Sequence, residues 1–148
     1  MACPLFIPHA PLGELIAIAP PLGDLYDGVC DADPAAPINP ETLRRYCNFG
    51  YARGHCERAA RADADAVRVL VTGEHFGIVD IAWSIERNHH PVAVGRFAVD
   101  TLAVDAGSLP TTKVPTLERQ AQACAAAYAR QSRTTVTSAG RIPAAAHP

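Results

Sequence analysis

Four of the five cysteines, Cys3, Cys30, Cys47 and Cys56, fall in the first 56 residues, whereas the 92 residues that follow contain only Cys124. The stretch that holds them, residues 1 to 66, is rich in Pro, Gly and Asp and carries little apolar periodicity. A chain of this kind would have to assemble a core from loops, at high conformational entropy cost. Four converging sulfurs would supply the missing tie, and this stretch is read as a loop-rich cysteine region around a metal site.

Thiolates of this number suit either a tetrahedral zinc ion or a [4Fe-4S] cluster. Structural zinc usually draws on paired C-x₂₋₄-C turns. Here the intervals are 26, 16 and 8 residues. Dispersed ligands are easier to place on a larger cluster, where each cysteine goes to a different iron, and the spacing therefore ranks [4Fe-4S] ahead of a zinc tetrathiolate. Disulfides would require an oxidising compartment, and the opening Met1-Ala2-Cys3-Pro4 lacks the basic and apolar regions of a secretory signal. The expected location is cytoplasmic.

Within this stretch one helix is predicted over residues 40 to 47: Asn39 caps it, Pro40 suits its first position, Glu41 favours its positive end and Gly50 stops it. Cys47 falls in its last turn. The following glycines, Gly50 and Gly54, would let backbone pass close to a bulky inorganic body and turn N-H groups toward its sulfurs. Phe49 and Tyr51, with Leu5, Phe6 and Ile7, are the expected walls against water. Residues 1 to 43 carry six acids and no Lys or Arg, while Arg44, Arg45, Arg53, Arg58 and Arg61 follow within 18 residues. These guanidinium groups would offset the negative charge of a four-thiolate site, form a docking patch, or simply neutralise the acidic segment.

From Val67 the pattern changes to period two. Val67, Val69 and Val71 alternate with Arg68 and Thr72, and Val79, Ile81, Trp83 and Ile85 with Asp80, Ser84 and Glu86. With a connection at Gly73 to Gly77, another at Asn88 to Pro91 and a third run from Val92 to Val104, residues 67 to 104 read as a three-stranded antiparallel meander. Leu117, Ala121, Cys124 and Tyr128 then recur at helical spacing, which predicts a helix over 116 to 131 packed on the sheet, with Cys124 as a core residue. Strands followed by a helix, without β-α-β alternation, define an α+β fold. Residues 1 to 131 form the single domain, and 132 to 148 read as a loose tail.

Cys3-Pro4, Cys30 and above all Cys47-Asn48-x-Gly50-Tyr51-Ala52-x-Gly54-x-Cys56 resemble a family of small, functionally uncharacterised bacterial proteins with four dispersed cysteines. The resemblance implies a four-cysteine cofactor site, an iron-sulfur cluster above all, and brings no reaction with it. Members often carry an aromatic three residues after the last cysteine, where this chain has Ala59.

The net charge of -2 gives no reason to expect nucleic acid, and no apolar run is long enough for a transmembrane helix. Hydrolase, nucleotide and dinucleotide signatures are absent, so an enzyme is not the first expectation. The acids Asp24, Asp27, Asp31 and Asp33 read as turn residues, and His89-His90 as a turn pair. His55, beside Cys56, is a candidate to replace a cysteine ligand. The expected function is a small iron-sulfur protein that transfers electrons to a redox protein partner or senses redox state; the alternative is a structural zinc protein that binds another protein.

Overall fold

The computed structural model describes residues 1–14, 18–103 and 115–139. Its centre is an antiparallel sheet of β3 (Ala66–His75), β4 (Ile78–Arg87) and β5 (His90–Asp100), in that order, followed by a helix, α3 (Thr116–Ala139). The expected α+β architecture is therefore the observed one. Register places Val69, Trp83 and Gly95 on one face, and Val71, Ile81 and Phe97 beside them. This apolar face is buried with Val67, Val79 and Val99 beneath the alanine-rich side of α3.

Both hairpin turns are tighter than the sequence suggests. Phe76 and Gly77 have φ of 51° and 80°, and Asn88 and His89 have 49° and 65°. Such pairs of left-handed residues make two-residue turns whose twist matches that of the strands. Gly73, read as part of the first turn, lies inside β3, where the register shifts between Val71 and Gly73. A glycine in a strand marks a bulge as readily as a turn. The third strand ends at Asp100, and Val104 lies outside the described residues.

Residues 1 to 66 contain an element that the sequence conceals. β1 (Phe6–Pro11) and β2 (Tyr26–Cys30) form a separate two-stranded antiparallel ribbon, with Phe6 opposite Cys30 and Pro8 opposite Gly28. Pro8 and Pro11 argue against a strand, but a ribbon has an unpaired side on which a missing N-H costs nothing.

The predicted helix over 40 to 47 is real at its start. Asn39 Oδ1 accepts from the N-H groups of Glu41 and Thr42, as expected of the cap. Regular helix (α1, Pro40–Thr42) then widens into a π-helical turn, Leu43–Cys47, closed by Asn48 N-H donating to Leu43 O. Gly50, at φ 73°, ends it. A four-residue helix, α2 (Glu57–Ala60), follows Cys56.

The closing helix runs to Ala139, beyond the predicted end at 131, so part of the expected tail is helical. The sequence after Tyr128 lacks an apolar stripe, but Gln131 Nε2 donates to Gly23 O at 3.0 Å and Arg130 reaches Tyr26 Oη at 2.9 Å, which hold the helix by polar bonds instead. Residues 140 to 148 lie outside the described residues.

Candidate metal centre

Each of the four predicted cysteines sits on a different local structure. Cys3 opens the turn before β1, Cys30 closes β2, Cys47 ends the π-helical turn and Cys56 precedes α2. Cys3, Cys30 and Cys47 are buried and Cys56 is partly exposed. None is paired in a disulfide. All four line one cavity of about 240 Å³, together with Leu5, Phe6, Ile38, Ala52 and Ala59. Cys124, as expected, stands apart in the core of α3.

Backbone bonds bring the first three together. Cys3 N-H donates to Cys47 O at 2.9 Å, and the strand pairing of Phe6 with Cys30 joins the Cys3 turn to β2. Two buried amide side chains lock this arrangement. Asn48 Oδ1 accepts from Tyr26 N-H at 2.9 Å, while its Nδ2 donates to Tyr26 O and to Leu43 O, each at 3.0 Å. It therefore fastens β2 to the turn that carries Cys47. Gln120, fully buried on α3, donates through Nε2 to Cys3 O at 2.7 Å and Phe6 O at 2.8 Å. Sequence reasoning missed Gln120; its place inside an otherwise apolar helical stripe, between Leu117 and Cys124, is the signal that could have found it.

The motif Cys47-Asn48-x-Gly50-Tyr51-Ala52-x-Gly54-x-Cys56 now has a physical reading. Gly50 does not face the cavity: a Cβ there would stand 3.0 Å from Ala2 O and from the Ala66 side chain. It permits close packing beside Cys3. Ala52 lines the cavity, and its carbonyl accepts from the N-H groups of His55 and Cys56, each at 2.9 Å. Gly54 lies in open space. The Leu5 and Phe6 amides act on Cys3, where they oppose the effect of burial on its thiol, while the Gly50 N-H donates to Tyr46 O at 2.7 Å.

Leu5 and Phe6 wall the cavity as expected, but Ile7, Phe49 and Tyr51 do not; Ile38 and Ala52 take their place. Tyr51, at φ 53°, turns away to donate its hydroxyl to buried Glu86 and to stack on His89 at 4.4 Å. His55 stands at the cavity edge with its ring stacked on Tyr46, centroids 4.5 Å apart. Ala59 is in the lining itself.

Burial pushes the Cys47 thiol up to about 12 and the Cys3 thiol up to about 11, and the neighbouring thiols push in the same direction. Arg58, which also lines the cavity, opposes this at Cys47. Both groups are neutral thiols at pH 7 without a metal; a bound metal would displace their protons. Among the described residues, no group of three His, Cys, Asp or Glu side chains is close enough to hold a metal ion. Four sulfurs on one zinc would lie about 3.8 Å apart. The four thiols line one cavity without meeting at one point.

Of the five clustered arginines, four face carboxylates: Arg44 with Glu14, Arg45 with Glu41, Arg53 with Asp65 and Arg58 with Asp33. The strip thus serves largely to pair with the acidic segment. No described helix is long and apolar enough to cross a membrane.

What fold and site define together is an α+β protein with a four-cysteine cavity lined by a ribbon, a π-helical turn and the short helix α2. Comparison of the chain with protein-family models, curated proteins and solved structures gives no match.

Proposed function

We propose that this chain is a small cytoplasmic iron-sulfur protein that holds a [4Fe-4S] cluster on Cys3, Cys30, Cys47 and Cys56 and acts in electron transfer or redox sensing. The observation that carries the reading is the convergence of four thiols, from four separate chain segments, on one cavity. Dispersed sulfurs around a space of that size suit a cluster whose irons each take one cysteine. Such a cluster supplies one-electron chemistry when bound.

The chain's own residues would set its properties. Leu5, Phe6, Ile38 and Ala52 exclude water on the inner side. The Leu5 and Phe6 amides offer hydrogen bonds to the Cys3 sulfur, and Arg58 places a positive charge at the rim. Each favours the reduced or more negative state, because it stabilises charge on sulfur. A redox partner would meet the cavity where Pro37, Asn39 and His55 are exposed. The motif likeness to four-cysteine bacterial proteins agrees with this reading.

Anaerobic purification followed by iron, sulfide and zinc analysis tests it. Brown protein whose visible absorption bleaches reversibly on reduction is the expected result. Colourless protein with zinc equal in amount to the chain would replace it with the structural zinc reading.

A further inference from the structure

Resting on that four-cysteine reading, we infer that Cys56 is the exchangeable ligand of the set, and that a small external thiol can take its place. Cys3, Cys30 and Cys47 belong to one hydrogen-bonded unit. Cys3 N-H is bonded to Cys47 O at 2.9 Å, Asp31 N-H to Leu5 O at 2.7 Å, and Phe6 pairs with Cys30. Asn48 and Gln120 fasten the same unit to β2 and α3. Movement of any of these three cysteines disturbs a unit that spans distant parts of the chain, and breaking the buried bonds of Asn48 or Gln120 leaves desolvated polar groups behind.

Cys56 has no such tie. Its N-H donates to Ala52 O at 2.9 Å and its carbonyl accepts from Ala60 N-H at 3.0 Å, so both backbone partners lie four residues away. The chain is anchored on either side of it, by Arg53 to Asp65 at 2.9 Å and by Arg58 to Asp33 at 3.6 Å. Between those anchors Gly54 has no atom within 4 Å of the position a Cβ would occupy. Exposed segments with only local bonds open at low free energy, while buried units open at a cost near that of global unfolding. Cys56 is also the least buried of the four, with Thr42, Asn39 and His55 on the same cavity.

The ligand class follows from the chemistry of the vacated position: a soft anion, and so a thiolate small enough to pass the mouth. In the exchange one iron-sulfur bond breaks and one forms. The proton of the incoming thiol passes to the departing Cys56 thiolate, and no electron is gained or lost.

The test compares anaerobically reconstituted wild type with Cys3→Ala, Cys30→Ala, Cys47→Ala and Cys56→Ala, each checked for folding by far-UV circular dichroism, with and without ethanethiol. Iron and sulfide content and the electron paramagnetic resonance signal of the reduced protein are read. Cys56→Ala should keep at least half of the wild-type iron, with a signal that shifts on addition of ethanethiol, while the other three keep under a tenth. In loaded wild type, iodoacetamide should label Cys56 before Cys3, Cys30 or Cys47. The inference is overturned if Cys56→Ala loses iron as completely as the others, if its signal ignores the thiol, or if labelling shows no preference. Wild type that binds no iron and sulfide would instead overturn the four-cysteine reading and this inference with it.

Discussion

Between Ala66 and Asp100 each strand is joined to the next by a long antiparallel ladder with one register shift, and its buried face is built from Val, Ile and Phe at alternate positions. Between Met1 and Asp65 the corresponding functions are divided among unlike parts: a short ribbon, a π-helical turn, and two buried amides that reach across 22 and 117 residues. The sheet's order is repetitive, so loss of one side chain leaves most of its bonds in place. The cysteine region has few bonds, each unique. Single polar residues there should therefore matter as much as large apolar residues in the sheet, and they should matter to the metal as well as to the fold.

Asn48→Leu should show the largest effect. It leaves Tyr26 N-H and Tyr26 O without their buried partner, while Leu43 O keeps the backbone N-H of residue 48, at a cost of about 4 kcal/mol. Urea unfolding should report that loss, and the folded fraction should carry little iron. A variant with wild-type stability and iron content would remove Asn48 from its assigned part.

Ile81→Ala, in the fully buried centre of the sheet, should cost about 3 kcal/mol through lost burial and a cavity. Here the folded fraction should hold iron in the wild-type ratio. If iron falls in step with stability, the two regions are not separable in the way described.

Alkaline titration sharpens the contrast from the other side. Cys3 and Cys47 are raised from an ordinary value of 9.0 to about 11 and about 12. The unfolded chain releases these protons first, so the two thiols' contribution to metal-free stability should be constant below pH 9 and should be lost as pH rises through 9 toward 12. Tyr26, also raised to about 12 by burial, acts in the same direction. Replacing Cys3 and Cys47 with Ala should flatten part of the decline; an unchanged slope would assign it to other groups. Gly54→Ala, where nothing stands within 4 Å, should shift stability by less than about 0.5 kcal/mol and leave iron content alone.

How far each region is legible in the sequence follows from the same difference. Period-two alternation from Val67 onward announces β3 and β4 because a half-buried strand repeats its requirement every second residue. Gly73 misleads only about where the strand ends, since a bulge and a turn demand the same backbone freedom. The Asn39-Pro40-Glu41 start is local chemistry and is correctly anticipated. Cys3, Cys30, Cys47 and Cys56 stand out in the sequence by type and crowding, and the structure brings all four to one cavity.

What is not legible depends on long-range partners. The β1 and β2 ribbon is hidden by Pro8 and Pro11, which are harmless only because one side of that ribbon is unpaired. Gln120 stands out in the sequence only as a polar residue in an apolar stripe, and its partners, Cys3 O and Phe6 O, are seen only when α3 is set against the Cys3 turn. Gly50 and Gly54 read in the sequence as cofactor-facing, yet the first answers to Ala2 and Ala66 and the second to nothing nearby. Phe49 and Tyr51 belong to the far side of the segment, where Tyr51 serves Glu86.

The most direct measurement is iron and acid-labile sulfide per chain in protein purified without oxygen. The account predicts about four irons and an equal amount of sulfide, both lost when Cys47 is changed to Ala. Protein that takes up neither under reconstitution with ferrous iron and sulfide, while remaining folded, would contradict it.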